Sequence, residues 1–233
     1  MAIALVQRAN AKGDAVTSLA PTWAGATTTG NLLILAFSTN EVVNDTTAVT
    51  PPSGYVLLGE GQNDRFTHVW IYFNENATSE SGSKTISWTG AGDAVAFLSE
   101  WSGANADAND LTANTSGNSL SASTGTLGSE PASDSLRIGV LGSVNTPTHA
   151  SPTNSFTNDA NDFSVGTTSA TNANKLRASV VYRIGNGSAE ECSVTISGGT
   201  NRRWSGVIGS FKAAAGAAAT SLIWAPTPTI NRL

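Results

Sequence analysis

Two short runs have the composition of a cation loop. Asp107-Ala108-Asn109-Asp110 and Asp159-Ala160-Asn161-Asp162 set carboxylate and amide oxygens at alternate positions, the hard-oxygen chemistry that Ca²⁺ prefers. Neither run has the glycine bend and distal Glu of an EF-hand, and Asn/Asp-rich turns of this kind also form without metal, because the side chains cap the turn themselves. Trp23 and Trp88 lie next to turn-forming residues and are candidates to stack on a glycan; the competing reading puts tryptophans in a β core. Paired carboxylates are what a glycosidase requires, and Glu41, Asp45, Glu60, Asp64, Glu75, Glu100 and Glu190-Glu191 are the acids available. All but Glu100 fall in turns or at strand ends, and Glu100 reads as the outward residue of its strand. There is no G-x-S-x-G elbow for a serine nucleophile. A single cysteine, Cys192, forbids an intrachain disulfide, and with the two distant histidines, His68 and His149, it makes no metal site. These residues predict no catalytic group, no cofactor and no firm metal site.

The elements that must position these residues are strands. Period-2 alternation and β-branched runs predict Ile3–Gln7, Asn31–Thr39, Tyr55–Glu60, Thr67–Phe73, Lys84–Trp88, Ala94–Trp101, Ser135–Leu141, Leu176–Ile184, Ser193–Ser197 and Ser205–Lys212. Pro51-Pro52-Ser53-Gly54, Gly90-Ala91-Gly92, Gly185-Asn186-Gly187 and Gly198-Gly199 punctuate them as turns. No stretch has a helical stripe.

The second half also re-runs the first. Tyr72–Ala104 aligns with Tyr182–Ala214 without a gap, setting Tyr72 on Tyr182, Glu80 on Glu190, Thr85-Ile86-Ser87 on Thr195-Ile196-Ser197 and Trp101 on Phe211. Upstream, Gly30–Leu35 resembles Asp134–Gly139 in position. The expected fold is all-β: an antiparallel, jelly-roll-like β-sandwich over residues 1–212, built from pseudo-repeated halves at about 16–104 and 131–212. The polar segment Asn105–Ser129 serves as a surface loop or a linker between them.

Residues 213–233 form a separate arm. Pro226 and Pro228 forbid a helix, and Leu222, Ile223, Trp224 and Ile230 are apolar in a tail too short to have its own core. An apolar extended arm is an assembly device, pinned against its own sandwich or, more sharply, a neighbouring subunit.

Charged residues make up only 12% of the 233-residue chain, and the net charge is −5. The twelve basic residues are scattered, which argues against a phosphate backbone as partner. The longest apolar run, Leu32–Phe37, is too short to span a bilayer. MAIALVQRANAKGDAV has neither the basic start nor the apolar core of a signal peptide, so synthesis in a cytoplasm is expected.

At TTTGNLLILAFST, TPPSGYVLLGEG, VWIYFNEN and KTISWTGAGDAVAFLSEWSGA, the chain resembles β-sandwich modules that recur in tailed-phage virion proteins and some bacterial surface proteins. In them an aGNLL strand is followed by a PPxGW-type turn and a W/EYSG strand. The likeness runs from about Val16 to Lys212, with Tyr55 where the turn usually has Trp. It carries no catalytic motif. It implies a non-enzymatic structural protein of a virion assembled in the host cytoplasm, a capsid decoration or head-associated subunit. Its partners would be major capsid or tail proteins and further copies of itself, with no nucleic acid or membrane. The alternative is a tail-fibre or tail-tip protein that binds host glycan.

Overall fold

In a computed structural model, residues 2–40, 48–63, 66–75, 78–105, 111–129, 134–145, 148–157, 164–168, 175–185, 190–197 and 202–214 are described. They form fifteen strands and, among the described residues, no helix. In chain order these are β1 (Ala4–Leu19), β2 (Leu32–Thr39), β3 (Val49–Thr50), β4 (Val56–Asn63), β5 (Thr67–Asn74), β6 (Ile86–Ser102), β7 (Ala104–Asn105) and β8 (Thr112–Ser119). There follow β9 (Ser121–Ser123), β10 (Ser135–Val144), β11 (His149–Ala150), β12 (Ser164–Gly166), β13 (Leu176–Gly185), β14 (Ser193–Ile196) and β15 (Arg202–Ala213). Among the described residues no helix is long and apolar enough to cross a membrane.

All pairings are antiparallel and make a β-sandwich. The first sheet runs β1-β6-β2-β5-β4, with β3 also paired to β6. The second runs β12-β13-β10-β15-β7, with β8 also on β15. Read from the other edge, the second sheet is β8-β15-β10-β13-β12, the same succession of strands that the first sheet takes through its half of the chain.

The register tests the repeat residue by residue. Leu32 faces Trp101 and Leu136 faces Phe211, so Trp101 and Phe211 are equivalent, as the alignment has them. In the next pair of strands, however, Ile34 faces Phe73 and Ile138 faces Tyr182. The counterpart of Tyr182 is therefore Phe73, and the pairing of Tyr72 with Tyr182 is corrected by one residue. In a strand that one residue changes the face. Tyr72 lies on the outer side of its sheet with Leu33 and Leu35, whereas Tyr182 packs on the inner core. The corrected equivalence makes the packing reciprocal: Phe73 meets Phe211 at 5.6 Å and 69°, and Trp101 meets Tyr182 at 5.0 Å and 66°. Each half offers the other the same edge-to-face aromatic contact.

The inner core draws on both sheets, with Leu32, Ile34, Val69, Ile71, Phe97 and Trp101 facing Leu136, Ile138, Val140, Val180, Val207 and Phe211. Each sheet also buries its outer face. Leu33, Leu35, Phe37, Trp70 and Leu98 pack beneath Trp23, Tyr55 and Trp88. Leu141, Val181, Trp204 and Ile208 pack beneath Ala122, Leu127, Phe156, Cys192, Val194 and Ile196. A strand covered on both faces has no reason to alternate, which is why β2 reads LLILAFST and is buried throughout. The cover of the second sheet is a small sheet of its own, β11-β14-β9. In the first half the corresponding strands stay within the main sheet, as β3 and the end of β1 pair with the start of β6.

Two sequence expectations change here. Gly90-Ala91-Gly92 is not a chain reversal: β6 runs through it, and Gly90 bends the strand at φ 84°. The Asn105–Ser129 segment is not a plain loop, since it carries β8 and β9. β8, TANTSGNS, has no apolar alternation to betray it; its hydrogen-bonding partner is β15. Finally, the second sheet approaches its neighbours backbone to backbone. A Cβ on Gly61 of β4 would sit 2.5 Å from the Gly206 carbonyl oxygen of β15, and one on Gly206 would collide with the Ser123 carbonyl oxygen of β9.

Candidate functional site

Trp23 and Trp88 do not offer ring faces to solvent. They are 4% and 5% exposed and belong to the outer core of the first sheet, Trp88 stacking obliquely on Phe37 at 4.8 Å. The glycan-contact expectation is corrected on this point: both rings are spent on packing. Asp107, Asp110, Asp159 and Asp162 lie outside the described residues, as do Leu222, Ile223, Trp224, Pro226, Pro228 and Ile230 of the arm.

What the fold concentrates instead is a set of buried polar anchors, each joining a strand to the layer above it. Glu100 is fully buried on β6, on the outer face of its sheet beneath the covering loop rather than in solvent. Its Oε1 accepts from the Thr28 amide and from Asn31 Nδ2, both at 2.7 Å, and its Oε2 accepts from Gln7 Nε2 at 2.7 Å. One carboxylate thus pins the Thr28–Asn31 turn and β1 to β6. Charged acceptors are the strong ones in such a network.

Glu80 and Glu190, matched in the sequence, also match in place. The Glu80 carbonyl accepts from the Thr27 amide at 2.8 Å and the Glu190 carbonyl from the Leu127 amide at 2.7 Å. The Glu80 carboxylate takes Asn74 Nδ2 at 2.9 Å and Lys84 Nζ at 3.0 Å. The Tyr55 phenol beside it is held well above its ordinary range, first by burial and then by the Glu80 charge. Glu190 instead pairs with Arg137, which is fully buried on β10, and with Arg183 Nη1 at 2.6 Å on β13. Arg137 keeps Nε and Nη2 buried without a hydrogen-bond partner.

Asp93, 4% exposed, ties the two halves together: its carboxylate accepts from the Ala15 amide at 3.1 Å and from Thr167 Oγ1 at 2.8 Å. Asp14 does the same nearby, taking the Thr168 amide at 2.9 Å and its hydroxyl at 2.6 Å. On the opposite side, Asn63 Nδ2 donates to the carbonyls of Gly117 at 2.6 Å and Trp204 at 2.9 Å.

His149 joins the small sheet to the second sheet. It is 7% exposed, with Nε2 at 2.6 Å from Ser143 Oγ on β10 and Nδ1 at 2.8 Å from Ser179 Oγ on β13. Burial, and secondarily the charge of Arg177, lower its pKa from 6.5 to about 3, so the ring is neutral and bridges two hydroxyls. Burial alone lowers Arg177 as well. Under the same sheet Cys192 is fully buried, and its thiol is pushed up to about 12, first by burial and then by Glu191, against a lowering hydrogen bond from the Thr153 backbone.

Sequence reasoning took Glu100 for an outward strand residue, weighed His149 only as a metal ligand and passed over Arg137. The signal was present for Glu100 and Arg137: each is a lone charge inside an otherwise apolar run, AVAFLSEW and LRIGVLG. His149 gave no such sign. Comparison with family models, with curated proteins and with solved structures finds no match to this chain.

Proposed function

We propose that this protein is a non-enzymatic structural subunit of a tailed-phage virion, a capsid decoration or head-associated protein that docks through its terminal segment onto major capsid or tail proteins. The observation that carries the reading is how the buried polar groups are used. Glu100, Asp93, Glu190 and His149 each have a hydrogen-bond partner on a strand or loop of another layer. Groups that in another setting would do acid–base chemistry here fasten four layers into a stiff body. The reciprocal aromatic packing of the two halves adds to that stiffness. A surface strand such as β8, made of Thr, Ala, Asn, Ser and Gly, suits a neutral, hydroxyl-rich exterior.

In this reading the sandwich is the rigid body and Leu222, Ile223, Trp224 and Ile230 supply adhesion. Burying such side chains against a neighbour contributes on the order of 1.5–3 kcal/mol each, multiplied over symmetry-related copies. The test compares the full chain with one ending at Ala219 on purified phage heads that lack the protein, read by light scattering. Binding by the full chain alone supports the arm as the docking device. Equal binding by both moves docking to the sandwich, and binding by neither removes the virion reading.

A further inference from the structure

We propose that the small sheet β11-β14-β9 is a flap over the second sheet, latched by His149 and released by acid. Its strands touch the sheet below through an apolar layer, in which Ala122, Val194, Ile196 and Cys192 lie on Leu141, Val181 and Ile208. Most backbone bonds of the flap run within it and its flanks: the Ile196 amide to Leu120, the Ser197 amide to Thr148 and the Thr124 amide to Cys192, whose own amide donates to Thr124 Oγ1. Across the layer boundary, among the described residues, the Thr157–Tyr182 backbone bonds and the Arg183 bond to the Asn154 carbonyl hold its flank, and two side-chain anchors hold its strands. One is Glu190, just before β14, on Arg137 and Arg183. The other is His149 of β11, gripped between Ser143 and Ser179.

The two anchors differ in what acid does to them. A neutral imidazole fits the second one well, since one nitrogen donates, the other accepts, and each serine hydroxyl takes the complementary role. An imidazolium would be a charge buried between two fully buried serines and beside Arg177 of β13. Among the described residues the remaining charges around it offer no counter-ion: Lys175 precedes β13, Arg202 and Arg203 lie on β15 next to Trp204, the register partner of Ser143, and Arg137 of β10 is paired with Glu190. β14 presents Ile196 opposite His149.

The sign follows from linkage. The closed state holds His149 at about 3, below the ordinary 6.5 that it regains when the flap lifts. Closure is therefore fully favoured above 6.5 and loses ground as pH falls from there toward 3. Between pH 7 and pH 5, above the range where carboxylates titrate, an open state with a solvated histidine becomes about 25-fold more populated.

Hydrogen exchange of the full-length protein, corrected for the intrinsic pH dependence, tests this at pH 7 and pH 5. Amides of β11 and β14 should lose protection by about that factor while those of β2 keep theirs. Cys192 labelling by a dithiodipyridine, which stays reactive in acid, should accelerate in parallel, and His149→Gln should abolish the acceleration. Unchanged flap protection overturns the proposal. So does an equal loss in β2, which would mean global unfolding, or a variant that retains the acid response. Should the variant fail to fold, exchange in the native protein decides alone.

Discussion

The ion pair of Arg137 and Glu190 is the best place to ask whether a buried charge holds this fold together or is tolerated by it. Arg137 is fully buried, and two of its nitrogens, Nε and Nη2, have no partner. Each such orphan donor costs about 1–3 kcal/mol of desolvation. The corrected register makes Leu33 the first-half counterpart of Arg137, because Ile34 and Ile138 occupy equivalent places in their sheets. Arg137→Leu therefore copies a solution the chain already uses. It abolishes both orphans, leaves Glu190 held by Arg183 at 2.6 Å, and sacrifices some packing volume. These terms oppose one another, and the net change in stability should stay within about 1.5 kcal/mol of zero. Glu190→Gln is the opposite case. It strands a guanidinium in the interior and should cost about 3 kcal/mol, the low end for breaking a buried pair, since the amide oxygen still accepts. In the double variant the stranded cation is gone, so its stability should return close to that of Arg137→Leu alone, a coupling of about 2–3 kcal/mol. Urea unfolding at neutral pH, followed by tryptophan fluorescence with an unchanged m value, measures all three. If Arg137→Leu costs more than about 3 kcal/mol, the buried pair is a net stabiliser and the reasoning from unpaired donors fails; if Glu190→Gln costs less than about 1, the interior guanidinium does not depend on the carboxylate charge.

Other perturbations follow from the same packing. Trp23→Ala and Trp88→Ala should each lower stability by about 3–5 kcal/mol, as core truncations do, and a thermal melt that leaves both variants at the native midpoint would return these rings to the surface. Gly206→Ala drives a methyl into the Ser123 carbonyl oxygen where β9 crosses β15; a loss of about 1–3 kcal/mol in the same urea assay is expected. Cys192, buried with its thiol at about 12, should resist iodoacetamide in the native protein near neutral pH and react once urea unfolds it. Mass spectrometry distinguishes the two, and rapid native labelling would contradict the burial.

How much of this was legible depended on whether the sequence carried the physical cause. β2 and β10 were plain because they are covered on both faces and so have to be apolar. β8 was not, because an edge strand of small polar residues borrows its order from β15. The repeat was visible, yet the gapless alignment put Tyr72 on Tyr182, since the identity of two tyrosines outweighs a one-residue slip when letters alone are compared. Only the ladder, with Phe73 and Tyr182 facing the same isoleucine position, reveals which residues share a face. The anchors were half legible. A lone Glu or Arg in an apolar run announces a buried charge, but its partners are far off in the chain: Glu100 is served by Gln7, Thr28 and Asn31.

The difference between the halves is where the fold allows movement. In the first half the covering strands are continuous with the main sheet, because β6 runs unbroken from Ile86 in the cover to Ser102 at the far edge. Lifting that cover would bend a strand paired along its length with β1 and β2. In the second half the same stretch is divided into β14 and β15, which belong to different sheets. The cover there is joined to its sheet mainly by side chains, an apolar layer, the Glu190 ion pairs and His149, with one backbone bridge from Thr157 to Tyr182 on its flank. Side-chain contacts exchange more readily than a continuous ladder, so local opening should begin in the second half at any pH. Hydrogen exchange at neutral pH should thus rank β11 and β14 below Ile86–Trp88 in protection. The reverse ranking would mean that the continuity of β6 counts for less than the anchors, and the flap would lose its mechanical basis.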